Sequence, residues 1–141
     1  MSGISLVLIK PDAFARDLVE VIVQHFLDEG LKVVYQREVQ LDEELIRRFQ
    51  PAVNPPSEYG EEWKYELFEA LCERPVRVLI VEGHDALEQS VRVKRKLRAS
   101  YAPESDYRVR VIRNLLHTPS TIMELQLNME VLVPEVMELL W

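Results

Sequence analysis

The chain has one cysteine, Cys72, among its 141 residues. An intrachain disulfide is therefore excluded, and Cys72, set in an apolar helical pattern, reads as core rather than as a nucleophile. No apolar run is long enough to span a bilayer and no signal-peptide pattern is present, so the expectation is a soluble cytoplasmic protein without membrane attachment. Positive charge is in the minority. The 17 Lys and Arg residues face 24 Asp and Glu, a net charge of −7, which argues against a general nucleic-acid binder. Internal repeats and low-complexity tracts are missing. What is present is enough chain for one domain, residues 1–141, with 48 % apolar residues. A domain of that size buries roughly two-thirds of its unfolded surface.

An anionic ligand on such an acidic background needs a local cluster of cations. Lys94, Arg95, Lys96, Arg98, Arg108, Arg110 and Arg113 supply one in sequence. The same run also reads as a solvated helix face followed by exposed strand positions.

Ile4 to Ile9 is an apolar run stopped by Lys10 and Pro11, the pattern of a buried strand. Leu18, Val19, Ile22, Val23, Phe26 and Leu27 follow helical spacing, with Gly30 as C-cap. Leu31 to Val39 is a second strand, and Asp42-Glu-Glu-Leu-Ile opens a short helix with an acidic first turn. Pro51 to Gly60 is a proline-rich loop. Trp63, Leu67, Phe68 and Leu71 mark an amphipathic helix. Val76 to Val81 is a third strand, closed by Glu82-Gly83, and Ala86 to Arg98 a long basic helix. Tyr107, Val109 and Val111 alternate with Arg108, Arg110 and Ile112, which predicts a fourth strand with one charged face. Thr121-Ile-Met-Glu124 is a capping box, opening a helix with Ile122, Leu125, Met129 and Leu132 on one side.

The order β-α-β-α-α-β-α-β-α is met economically by an α+β, ferredoxin-like fold. Its split β-α-β arrangement makes a four-stranded antiparallel sheet with helices covering one face.

Two strings carry the chemistry: Leu6-Val-Leu-Ile-Lys-Pro-Asp-Ala13 and Val111-Ile-Arg-Asn-Leu-Leu-His117. Phosphate binding needs fixed cations, and phosphate relay needs a neutral imidazole. A lone loop histidine says little; His25 and His84 have no cations in a matching frame, whereas Arg113 and Asn114 precede His117. The pair of strings resembles the nucleoside diphosphate kinase family, from about Ile4 to about Leu132. The resemblance implies transfer of the γ-phosphate of a nucleoside triphosphate to a nucleoside diphosphate through a phosphohistidine at His117. It also implies a homo-oligomer and Mg2+ bound through the nucleotide phosphates, with no protein metal site.

Carried over by position, Lys10 meets the terminal phosphates, Arg95 clamps phosphate, and Asn114 contacts the ribose hydroxyl. Arg113 binds nucleotide or braces the loop. Trp63 stacks on the nucleobase, a contact worth about 1–3 kcal/mol in comparable complexes, or else belongs to the core. Tyr101 stands where the family has a phosphate-touching threonine. Asn128 stands where the family has a glutamate that orients the histidine; an amide oxygen also accepts an imidazole N–H. Glu124 and Glu130 are the alternatives if the loop register differs.

The chain departs from the family in several places. Thr118-Pro119-Ser120 replaces Gly-Ser-Asp after the histidine, and Ile112 replaces a glycine. The loop between Pro103 and the fourth strand is short, with Glu104 or Ser105 near the place of a second phosphate-binding arginine. Arg98, Arg108 and Arg110 are the candidates to compensate. The Pro51–Gly60 loop is longer than usual. These departures also fit a catalytically weak or inactive nucleotide-binding regulator on the same scaffold, or a small-ligand module sharing only the topology. The joint presence of Lys10, Arg113, Asn114 and His117 favours the kinase.

Overall fold

The structure is a computed structural model that describes residues 2–50, 62–103, 109 and 112–140. Its elements are β1 (Ser2–Ile9), α1 (Pro11–Ala15), α2 (Val19–Asp28), β2 (Lys32–Val39), α3 (Glu43–Phe49), α4 (Glu62–Cys72), β3 (Val76–His84), α5 (Ala86–Tyr101), β4 (Leu116–His117), α6 (Ile122–Leu132) and α7 (Pro134–Leu140). The strands form one antiparallel sheet in the order β2-β3-β1-β4. β3 lies between β1 and β2, the split β-α-β arrangement expected from the sequence.

The helices cover both faces of the sheet, which corrects the one-sided arrangement. Leu6, Leu8, Val76, Val78 and Ile80 pack on one face with residues of α3, α4, α6 and α7. Val7, Ile9, Leu79 and Val81 pack on the other with residues of α1, α2 and α5. Successive strand residues alternate between faces, so two covered faces require the unbroken apolar run of β1 rather than an alternating one. Leu6 to Ile9 are all fully buried. Truncating such a residue to alanine typically costs about 2–5 kcal/mol.

Local chemistry explains the helix ends. Gly30 has φ 87°, and the N–H groups of Gly30 and Leu31 donate to the carbonyls of Leu27 and Phe26, closing α2 with a Schellman motif. Asp42 caps α3 by accepting from the Leu45 N–H. Thr121 caps α6 through the Glu124 N–H, while the Glu124 carboxylate reaches back to the Ser120 N–H, one residue earlier than in a standard capping box.

Four elements differ in kind or extent from the sequence reading. β3 runs on to His84, because Glu82, Gly83 and His84 still pair with Ile4, Gly3 and Ser2. α1 and α7 are additional, each with proline at its first position, where the missing N–H is harmless. The fourth strand is Leu116–His117, pairing with Leu8 and Ile9, and neither Val109 nor Ile112 is in a strand. Alternation makes a strand only where the backbone finds a ladder partner, and the open edge of β1 is met by the two residues after Leu115. Tyr107, Arg108, Arg110 and Val111 lie outside the described residues, as does the Pro51–Gly60 loop.

Candidate active site

Lys10 follows β1 and is the N-cap of α1, in extended conformation, with Pro11 as the first helical residue. Its N–H donates to the Leu115 carbonyl at 2.9 Å. Its side chain is only 4 % exposed, and Nζ donates to Oδ1 of Asn114 at 2.6 Å. Burial and the neighbouring Arg98 charge bring the Lys10 pKa down to about 7, with Asp12 pulling the other way. Asp12 is buried beside it and accepts the Leu115 N–H at 3.0 Å. Burial raises the Asp12 pKa, opposed by the Lys10 charge.

These contacts converge on a tight turn. The Leu116 N–H donates to the Asn114 carbonyl at 2.9 Å, with Leu115 between them at φ 76°. This is a γ-turn of the strained hand, and a non-glycine residue in that region costs about 1–3 kcal/mol. Leu115 is fully buried. Asp12 holds its N–H, Lys10 its carbonyl, and Arg98 of α5 both flanking carbonyls: Nε donates to Asn114 at 3.1 Å and Nη2 to Leu116 at 2.6 Å. The turn delivers His117 to β4 opposite Leu8, so the histidine stands on a strand rather than in a loop.

Asn128 of α6, 1 % exposed, lies against His117. Its Nδ2 donates to the Phe49 carbonyl at 3.1 Å, which turns its Oδ1 toward His117 Nε2 at 2.8 Å. An amide oxygen only accepts, so Nε2 carries the proton and Nδ1 keeps the lone pair. The ring also packs against Phe49, centroids 5.8 Å apart. Burial brings the His117 pKa down to about 3; the Asn128 bond opposes this, and the Lys10, Lys94 and Arg98 charges add to it. The imidazole is neutral near pH 7. Glu124 is engaged with Ser120, and Glu130 is exposed; of the three candidates, Asn128 makes this contact.

Beside this group lies a cleft of about 410 Å³. Lys94, Arg95 and Arg98 of α5 line it together with Asn114 and Ser120. Half-buried Lys94 places Nζ 3.5 Å from the Thr118 carbonyl, a long contact. Its pKa falls to about 8 through burial and the Arg98 and Arg95 charges. Arg95 is exposed at the rim.

Of the sequence candidates, Arg95, Arg98 and Asn114 line this cleft, and Lys10 adjoins it through its bond to Asn114; His117 and Asn128 are not among the lining residues. Arg113 makes a two-pronged contact with Glu73, 2.5 Å at the shorter arm. Tyr101 sets its ring edge-on to His25, centroids 6.5 Å apart. Both line a neighbouring cavity with Asp12, Ala15 and Arg16. Trp63 is half-buried against the core formed by α3, α4, α6 and α7, the core placement that the sequence left open. Glu104, Ser105, Arg108 and Arg110 lie outside the described residues. Asp12 and Phe49 contact the site residues without having been singled out, while Lys94 had been named only as one of the basic cluster. The signals were the third letter of Lys-Pro-Asp and the one-turn spacing of Lys94 and Arg98.

Among the described residues, no group of three or more His, Cys, Asp or Glu side chains is placed to hold a metal ion. Among the same residues, no helix is long and apolar enough to cross a membrane.

Residues 4–136 match the nucleoside diphosphate kinase family. The nucleoside diphosphate kinase of Pyrococcus furiosus is 35 % identical over 104 residues, which are 71 % of this chain and 56 % of that protein. The chain thus spans little more than half the length of that relative. The crystal structure of an NDP kinase from Pyrobaculum aerophilum superposes with TM-score 0.71 at 24 % identity, covering 93 % of this chain and 95 % of that one. A nucleoside-diphosphate kinase from Borrelia burgdorferi, solved as a transition-state mimic with bound vanadate and ADP, gives TM-score 0.71 at 22 % identity, covering 92 % and 86 %. With the family match running over nearly the whole chain, and a strand-borne His117 set beside the buried Lys10–Asn114 pair, the chain belongs to the nucleoside diphosphate kinase family.

Proposed function

We propose that the chain transfers the γ-phosphate of a nucleoside triphosphate to a nucleoside diphosphate in two half-reactions through His117. The observation that carries this is the His117–Asn128 contact. With Nε2–H held by the amide, Nδ1 is the nucleophile. Its lone pair attacks the γ-phosphorus as the bond from phosphorus to the bridging oxygen breaks, and the diphosphate leaves. In the second half-reaction a terminal phosphate oxygen of another diphosphate attacks the same phosphorus, and the Nδ1–P bond breaks. The relative from Borrelia burgdorferi, with vanadate and ADP bound, is a member of the family caught with a phosphoryl mimic.

Lys10, Lys94 and Arg95 offset the charge that develops on the phosphoryl and bridging oxygens. Asn114 takes the ribose contact, and its fixed position comes from Lys10. Trp63 packs against the core of α3, α4, α6 and α7 and Tyr101 lines the neighbouring cavity, so neither is given a part in this scheme. Mg2+, when bound, supplies further charge neutralisation on the phosphates. The cleft offers mainly cations, so the ion's ligands would be the phosphates themselves.

A second reading, a weak or non-catalytic nucleotide binder, is favoured by one observation: Asn128 is neutral where the family has a carboxylate. It stabilises charge on the ring less. Incubation with γ-labelled ATP separates the two. The kinase gives an acid-labile, base-stable phosphoenzyme that an added diphosphate discharges and that His117→Ala lacks. Nucleotide binding without label would leave only the second reading.

A further inference from the structure

We propose that Arg98 is a positioning residue for the phosphoryl acceptor: it holds the strained turn before His117 in shape, rather than serving as the second phosphate clamp. The inference rests on the phosphohistidine reading above. It also answers, for one candidate, which arginine makes up for the shortened loop.

The geometry points inward. The guanidinium spans the turn, with Nε on the Asn114 carbonyl and Nη2 on the Leu116 carbonyl. Asn114 carries the side chain that receives Lys10 Nζ, and Leu116 is the residue before His117. One planar group therefore ties together the two residues that aim the cation and the nucleophile. The middle residue needs such support. Leu115 has φ 76° and a side chain, and it is kept there only because the surrounding contacts over-determine it. Asp12 and the Lys10 N–H hold the middle of the turn from the α1 side, while Arg98 holds its two ends from α5. A guanidinium fork suits this task and an ammonium does not, because two carbonyls need two fixed, diverging donors. Lys94, one turn earlier on α5 and with a 3.5 Å contact to Thr118, is left as the cation to meet phosphate.

The test compares Arg98→Lys and Arg98→Met with the wild type, using two phosphoryl donors. The first is γ-labelled ATP. The second is phosphoramidate, which has no nucleotide to clamp; its P–N bond breaks as Nδ1–P forms, and ammonia leaves. Misplacing a reacting atom by an ångström costs about a hundredfold in rate. Both variants should therefore form phosphohistidine about a hundredfold more slowly from either donor, while the affinity for pyrophosphate, which has no ribose to meet Asn114, stays close to wild type by calorimetry. Ring 15N spectra should show His117 losing its single Nε2–H tautomer. Wild-type labelling by phosphoramidate in the variants, together with weakened pyrophosphate binding, would make Arg98 a phosphate clamp and overturn the proposal. Full activity of Arg98→Lys would overturn it too, since charge alone would then suffice. If Arg98→Met does not fold, Arg98→Lys, which keeps the charge and the stem, decides by the same criteria. If the wild type accepts phosphate from neither donor, the phosphohistidine reading is what fails. The tautomer comparison then still decides the role of Arg98: an unchanged Nε2–H signal in Arg98→Lys rejects it.

Discussion

Asn128 Oδ1 lies 2.8 Å from His117 Nε2, while the same amide's Nδ2 donates to the Phe49 carbonyl at 3.1 Å. One residue of α6 thus selects the tautomer of a histidine on β4 and ties it to the end of α3. Asn128→Leu removes the acceptor for Nε2–H and the donor for a buried carbonyl together. Each buried polar group left without a partner costs about 1–3 kcal/mol. Urea denaturation should therefore show a loss of a few kcal/mol, and phosphoenzyme formation should slow. Unchanged stability would mean that the amide is dispensable and the tautomer is set by something else.

Lys10 gives a pH dependence with a definite sign. Its pKa in the fold is about 7 against an ordinary 10.5, so between those values the unfolded chain holds more protons. Stability should accordingly rise with pH across that window, and Lys10→Met should flatten the rise. Bound phosphate favours the ammonium form, so ADP binding near pH 8 should take up protons. Calorimetry in buffers of different ionisation enthalpy measures that uptake. Proton release, or none in either protein, would contradict the placement of Lys10 at the phosphates.

Lys94 and Arg95, which line the cleft beside Arg98, should each matter to transfer. Losing one charge-assisted contact costs about 1.5–3 kcal/mol, or roughly ten- to a hundredfold in rate. Arg95→Ala and Lys94→Met should lower kcat/KM by that amount without lowering the melting temperature, because Arg95 is exposed and the Lys94 contact to Thr118 is long. Near-normal turnover in both would move the phosphate site away from this cleft.

The sequence by itself determined the local architecture. The apolar run before Lys10, the helical rhythm closed at Gly30, the caps at Asp42 and Thr121 and the basic helix after Gly83 are each set by neighbours a few residues apart, and each has a local signature. The two motif strings likewise marked Lys10, Asn114 and His117, and counting along the chain reached Asn128. Tertiary structure alone decided the rest. The Lys10–Asn114 bond spans 104 positions, and no local pattern announces such a pair. Among the described residues the fourth strand is two residues long, because the edge of β1 and a turn forced to φ 76° at Leu115 determine where pairing starts. The basic residues between Lys94 and Arg98 look alike in sequence, yet the fold divides them. Arg98 bonds backbone carbonyls that need donors, Lys94 sits half-buried beside Thr118, and Arg95 faces the solvent at the rim. Charge is a property of the residue type, but what a charge is used for depends on which unpaired groups the folded chain brings within about 3 Å of it.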